Sequence, residues 1–192
     1  PLSGGMMVLV SLLQPTGFFE YLAIWAGRWS QGRPIKLLIL LGTLTTVLSM
    51  ILDNVTTIVL IAPVTVLICQ IIGMNPRPLL ISEAMLSNVG GIGTLVGDPP
   101  NIIIGSAANL SFADFLLNSL PIVVVCWLVT LALMVLLFRR EMIVYPDKAS
   151  AVNKMSAREA LNDPGGACRI LVVMGLAVVA FVFHHVLHAS PT

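Results

Sequence analysis

The chain has 192 residues, 57% of them hydrophobic and 10% charged, with a net charge of +1 and a mean hydropathy of +0.99. Soluble domains carry about 25% charged residues, so this composition excludes an ordinary soluble domain; apolar runs of about 20 residues point instead to a polytopic helical membrane protein. There is no basic patch with interleaved aromatics, which argues against a nucleic-acid partner, and Cys69, Cys126 and Cys168 lie far apart without a C-x-x-C spacing, as small apolar residues do.

The chain opens at Pro1 without a basic n-region and cleavage site. No signal peptide is therefore read, and the chain is expected to be a piece of a longer protein. Met6 to Ala26 can span a bilayer with a kink at Pro15. Its one acid, Glu20, is either a carboxylate near the interface or paired in the bundle, or a proton or ion ligand. Arg28, Arg33 and Lys36 form a basic connector. Leu37 to Ile72 is then apolar apart from Asp53-Asn54-Val55-Thr56-Thr57. One straight helix of that length would measure about 54 Å, and two full crossings need about 40 residues plus a turn. Two half-length arms, Leu37 to Leu52 and Thr56 to Ile72, fit better. Basic residues both precede and follow the pair, so it reads as a re-entrant hairpin with its tip near mid-membrane.

After a turn at Gly73 to Pro78, Leu79 to Asn109 crosses outward but is interrupted by SNVGGIGTLVGDPPN, Ser87 to Asn101. Glycine and proline at this density are incompatible with an intact helix. Broken backbone at membrane depth is tolerated only where it is buried in protein or lines a watery cavity. Leu110 to Asn118 reads as a short interfacial helix, with Ser111 as N-cap and Asp114 completing a capping box. Ser119 to Phe138 reads as a spanning helix ending at Arg139-Arg140. Glu141 to Gly166 is a polar loop with one amphipathic turn near Met155 to Leu161, and Ile170 to Leu187 returns outward. His184, His185 and His188 have no accompanying carboxylate and read as interfacial residues rather than a metal site. With these crossings, all ten Lys and Arg residues fall in segments assigned to the cytoplasmic side.

Two polar breaks at similar depth suggest a transporter's midplane site. Half-helix N-termini favour anions, whereas unwound carbonyls and half-helix C-termini favour cations. Asp53, Asn54, Thr56 and Thr57 would supply oxygen ligands from the tip; Asn88, Thr94, Asp98 and Asn101 would supply them from the broken helix. Oxygen-only ligation suits a hard cation or a protonatable site. Simpler roles exist: Asn54 and Thr57 can cap helix arms, and Gly90-Gly91 can permit close helix packing. GGIGTLVGD lacks the GK[ST] of a phosphate loop.

LDNVTTIVLIAPVT and ISEAMLSNVGGIGTLVGDPPNIIIGSA resemble the ion transporter superfamily of arsenite permeases, NhaD-type sodium–proton antiporters and dicarboxylate/sodium symporters. The branch most similar is that of the melanosomal P protein and its bacterial relatives, which GMMVLVSLLQPTGFFEYLA at residues 5–23 also matches. The resemblance implies an all-α, elevator-type carrier of two inverted repeats, each with a hairpin and a broken helix, of which this chain holds the first repeat and the start of the second. It also implies a homodimer in the cell membrane and sodium or protons as coupling ion, with no cofactor. Where the dicarboxylate branch has Ser-Asn-Thr at the tip, holding sodium and the substrate carboxylate, this chain has Asp53, Asn54 and Val55. Gly90, Gly91, Thr94, Gly97, Pro99, Pro100 and Asn101 match the family pattern, while Asp98 stands where that branch has threonine. Any sodium would be held at Asp53, Asn54 and Gly91, and inorganic ion transport is favoured over citrate or succinate.

The expected organisation is a scaffold helix and connector (1–36), the hairpin (37–72), the broken, interfacial and spanning helices (73–140), a cytoplasmic loop (141–168) and the start of a further helix (169–192). Two readings from other classes compete. Asp53 and Asp98 could form the shared-proton pair of an intramembrane aspartyl protease, or the chain could be a non-transporting membrane scaffold.

Overall fold

The computed structural model describes residues 8, 11–108, 110–142, 160–173 and 175–176, which are helical with no strand among them. A 3-10 turn, Gln14–Thr16, and Gly17 in the left-handed region (φ 76°) precede α1, Phe18–Trp29. The expected kink at Pro15 is thus a full interruption. Proline there has no N–H to give, and Gly17 reverses the local backbone sense before α1 begins.

The hairpin expected at 37–72 is present as α2, Pro34–Ser49, and α3, Asn54–Ile72. Pro34 starts α2 where a missing N–H costs nothing. Asp53 starts α3 as its N-cap: Thr56 N–H donates to its Oδ1 at 2.8 Å. Gly73 (φ 70°) ends α3 in the left-handed conformation, with Met74 N–H returning to the Cys69 carbonyl at 2.9 Å. The broken helix follows as α4, Arg77–Gly91, and α5, Pro99–Ala107.

The Ser111–Asp114 capping box forms as expected, but it opens one continuous 27-residue helix, α6, Phe112–Phe138. There is no separate interfacial helix at 110–118. Pro121 sits inside α6, and Asn118 donates its side-chain amide to the Asp114 carbonyl at 2.7 Å. The apolar run beyond carries the helix through both residues. Helix α7, Pro164–Val173, begins six residues before the expected Ile170, and the N–H of Asn162 ties its start to the Thr16 carbonyl at 2.9 Å. The expected turn near 155–161 lies mostly outside the described residues, and His184, His185 and His188 lie wholly outside them.

Helix α4 sits at the centre, packed against α2, α3 and α6. Gly42 lies against Leu86, and one turn on Thr46 lies against Gly90, so α2 runs parallel to α4. Thr65 meets Glu83 while Asn54 meets Asn88, so α3 runs antiparallel. The core is Leu37, Leu38 and Leu41 of α2, Ile61, Ile68 and Ile72 of α3, and Leu79 and Leu86 of α4. Helices α3 and α6 are each long and apolar enough to cross a membrane; only 17% of the most apolar stretch of α6 is buried, so its hydrocarbon surface faces outward, as lipid requires.

Candidate functional site

The parallel run of α2 and α4 brings two helix C-termini side by side, and the chain leaves both in loops that touch. Ser49 donates its hydroxyl to the Ser87 carbonyl at 2.7 Å, and Thr46 donates to the Leu86 carbonyl at 3.3 Å and to its own Gly42 carbonyl at 2.9 Å. A Cβ at Gly90 would collide with the Thr46 carbonyl oxygen and lie 3.0 Å from Ser49 Cβ. Glycine is therefore what allows α4 to rest on the backbone of α2. A Cβ at Gly97 would lie 2.6 Å from the Gly91 carbonyl oxygen and 2.9 Å from that of Ser49, so the loop of the broken helix closes on the hairpin at backbone distance.

Four polar side chains lock this junction. Thr94 donates to the Met50 carbonyl at 2.5 Å and accepts the N–H of Gly97 at 3.0 Å. Asn101, buried, donates its amide to the carbonyls of Gly91 and Thr94, each at 2.8 Å. It thereby satisfies a carbonyl at the C-terminus of α4 that helix geometry leaves without a partner. Asn54 donates to Asn88 Oδ1 at 2.8 Å, and Asn88 donates to the Ala84 carbonyl at 3.0 Å.

Of the residues proposed from sequence, Asn54 and Asn88 are therefore in direct contact, and Gly90, Gly91, Thr94 and Asn101 form the buried floor of the same junction. Asp53 and Thr56 form a closed pair beside it, half-buried, with the Thr56 hydroxyl donating to Asp53 Oδ2 at 2.6 Å. Thr57 stands apart: fully buried, it turns its hydroxyl back to the Asp53 carbonyl at 2.9 Å. The capping role considered for Asn54 and Thr57 belongs instead to Asp53. Asp98 occupies the N-cap position of α5, half-buried, but its carboxylate caps nothing.

The junction is rich in acceptors and poor in free donors. At the N-terminus of α3, the N–H groups of Val55, Thr56 and Thr57 are taken by Asn54 Oδ1, Asp53 Oδ1 and the Asp53 carbonyl. At the N-terminus of α5, Pro99 and Pro100 have no N–H, and that of Asn101 goes to the Asp98 carbonyl at 3.0 Å. Most N–H groups at these two helix starts are thus already taken or missing, which weakens the anion preference of an ordinary helix start. Two carboxylates, an amide oxygen and the carbonyls closing α2 and α4 remain, and such a set suits a hard cation or a proton.

Two groups of residues escaped sequence reasoning. The hydroxyls of Thr46 and Ser49 stitch the hairpin to the broken helix; their three-residue spacing on one face of an otherwise apolar arm is the signal that marks them. Glu83 is the other. Only 1% exposed, it receives the Thr65 hydroxyl on Oε1 at 2.6 Å, while its buried Oε2 has no partner. Glu20 is half-buried on the first turn of α1, and its Oε2 likewise lacks a partner.

The profile of the citrate transporter family matches residues 2–191. This chain belongs to the citrate transporter family. The chain is 46% identical over 187 residues to a 46 kDa membrane protein of Mycobacterium leprae, covering 97% of this chain and 44% of that protein. It is 46% identical over 188 residues to an uncharacterized transporter of Mycobacterium tuberculosis, covering 98% of this chain and again 44% of the relative. The human P protein is 46% identical over 116 residues, 58% of this chain and 14% of that protein. The chain thus spans less than half the length of the bacterial relatives it matches, and the P-protein branch inferred from the two motifs is the right one. Members of the citrate transporter family are integral membrane proteins, and the outward-facing apolar surface of α6 accords with that.

Proposed function

We propose that the protein is a secondary active transporter in which the hairpin tip and the broken helix hold a coupling cation or proton. The observation that carries this is the donor and acceptor balance of the junction: the starts of α3 and α5 offer few free N–H groups, while Asp53, Asp98 and the Gly91 carbonyl keep oxygen lone pairs available. Gly91 O and both Asp53 oxygens each accept one hydrogen bond already, which leaves capacity for a further ligand bond. Sodium between Asp53, Asn54 and Gly91, or a proton on Asp53 or Asp98, would fit this chemistry.

Depth follows from the broken helix. With 15 and 9 residues, α4 and α5 rise about 22 Å and about 14 Å, so a crossing built from them has its break inside the hydrocarbon layer. The 19 residues of α3 would by themselves reach across the layer, at about 28 Å. Contact with the break supports a tip at depth, with the arms tilting or beginning outside the layer. Arg33, Lys36 and Arg77 share the far end of the hairpin, which we assign to the cytoplasmic side.

A small inorganic ion is the favoured substrate. A second reading, a tricarboxylate of the citrate class, is supported by the description of the family profile; its carboxylates would bind outside this junction. The deciding experiment is flux of citrate, arsenite, chloride and sodium into proteoliposomes of the full-length protein, with and without sodium and pH gradients. Asp53→Asn keeps an oxygen to cap α3 but removes the charge. It is expected to leave stability within about 1 kcal/mol and to abolish the response to the coupling gradient. Parent-like coupled flux in Asp53→Asn and in Asn54→Ala would refute the proposal.

A further inference from the structure

Glu83 lies outside the junction, in the seam where α3 packs antiparallel on α4. Among the described acids it is the buried one. It is 1% exposed, its Oε1 receives the hydroxyl of Thr65 at 2.6 Å, and its Oε2 is buried with no hydrogen-bond partner. Thr65 is itself fully buried, so the pair is sealed. From α3 the titratable side chain is Cys69, a buried thiol one turn beyond Thr65. Helix α2 carries one charged residue, Lys36, which is exposed near its start; α6 carries Asp114 in its first turn and a half-buried Cys126; on α4 itself Arg77 begins the helix, six residues before Glu83. No ion pair reaches Glu83 among the described residues.

A carboxylate so placed has one donor and no counter-ion, a costly state in a dry interior that a proton relieves. The same group is connected mechanically. Five residues along α4, about 7.5 Å, Asn88 holds Asn54 at the hairpin tip, so the Thr65–Glu83 and Asn54–Asn88 contacts are two rungs of one seam. We propose that Glu83 is a proton-binding residue whose charge state controls the seam between hairpin and broken helix. The proton comes from water and adds to Oε2, and no other bond is made or broken. With the proton on, the seam stays dry and closed. With it off, the charge is better served by admitting water or a cation, which parts α3 from α4 and loosens the tip. The link from this site to transport rests on the transporter reading above; the proton site itself does not.

The test has two arms. In the first, infrared difference spectra of the full-length protein in lipid are taken between about pH 5.5 and about pH 8. A band of a protonated carboxylic acid is expected that vanishes in Glu83→Gln and shifts in Thr65→Val. Survival of every such band in Glu83→Gln overturns the proposal. Should Glu83→Gln fail to insert, an unmoved band in Thr65→Val overturns it, because that variant deletes only the contacting hydroxyl. In the second arm, flux of citrate, chloride and sodium into proteoliposomes is followed across the same range. Glu83→Gln is expected to retain flux but to vary less than about two-fold where the parent varies about ten-fold; a parent-like profile overturns the control by Glu83. A parent that moves none of the three at any pH counts against the transporter reading, and the infrared arm then decides the proton site alone.

Discussion

Asn101 is the side chain on which the closed loop of the broken helix most depends, and removing its amide has a calculable cost. Its two hydrogen bonds, both 2.8 Å, end on the carbonyls of Gly91 and Thr94, and the residue is 8% exposed. A buried neutral hydrogen bond contributes about 1 kcal/mol, and an orphaned buried carbonyl costs about 1–3 kcal/mol. Some water will reach carbonyls beside a polar junction, so Asn101→Ala is expected to lose about 2–4 kcal/mol, a large share of the 5–15 kcal/mol of a typical domain. Asn101→Asp keeps the shape but points an oxygen at both carbonyls, and should lose at least as much. The assay is reversible unfolding in mixed micelles followed by the fluorescence of Trp25, Trp29 and Trp127. A loss below about 0.5 kcal/mol in both variants would show that the amide does not hold the loop.

Gly90→Ala places a methyl group against the Thr46 carbonyl and Ser49 Cβ; backbone cannot retreat as a side chain can, so about 1–3 kcal/mol should be lost in the same unfolding assay. Gly175→Ala, which meets nothing within 4 Å, should be neutral or slightly stabilising. Thr94→Val removes the donor to the Met50 carbonyl and the acceptor for Gly97 N–H; faster amide exchange at Gly97 and lower stability by about 1–3 kcal/mol are expected, and protection equal to the parent's would contradict the contact. Ser111→Ala breaks the capping box of α6 at a cost of about 1 kcal/mol, visible as faster exchange in the first turn of that helix and nowhere else.

The elements that were legible in the sequence are those set by local chemistry. The second arm of the hairpin could be placed to begin near Thr56 because a polar run interrupts an apolar stretch in any surroundings, but its cap could not: Asn54 and Thr57 are the candidates by residue type, and Asp53 fills the role. A break within Ser87 to Asn101 could be placed because glycines and prolines deny the helix its hydrogen bonds in any surroundings; the structure narrows it to 92–98. The same local logic failed at Asn118, Ser119 and Pro121, where α6 continues: a weak local stop is overridden by the apolar run on both sides of it. It failed again at Pro15, where the interruption depends on Gly17 as well as on the proline.

What the tertiary structure decided is which polar groups face one another. Amino-acid order alone offered Asp53, Asn54, Asn88, Thr94, Asp98 and Asn101 as equal candidates for one site. Packing of α4 against both hairpin arms pairs Asn54 with Asn88, commits Asn101 to the loop carbonyls, gives Asp53 to Thr56 and leaves Asp98 uncommitted. Packing likewise makes Glu83 a sealed acid, because the hydroxyl it meets comes from Thr65, eighteen residues away in the chain. Composition and spacing determine that this protein lies in a membrane as helices with two breaks, since backbone hydrogen bonding is a local demand. Burial and partnership are properties of the assembled helices, and only their arrangement could assign them.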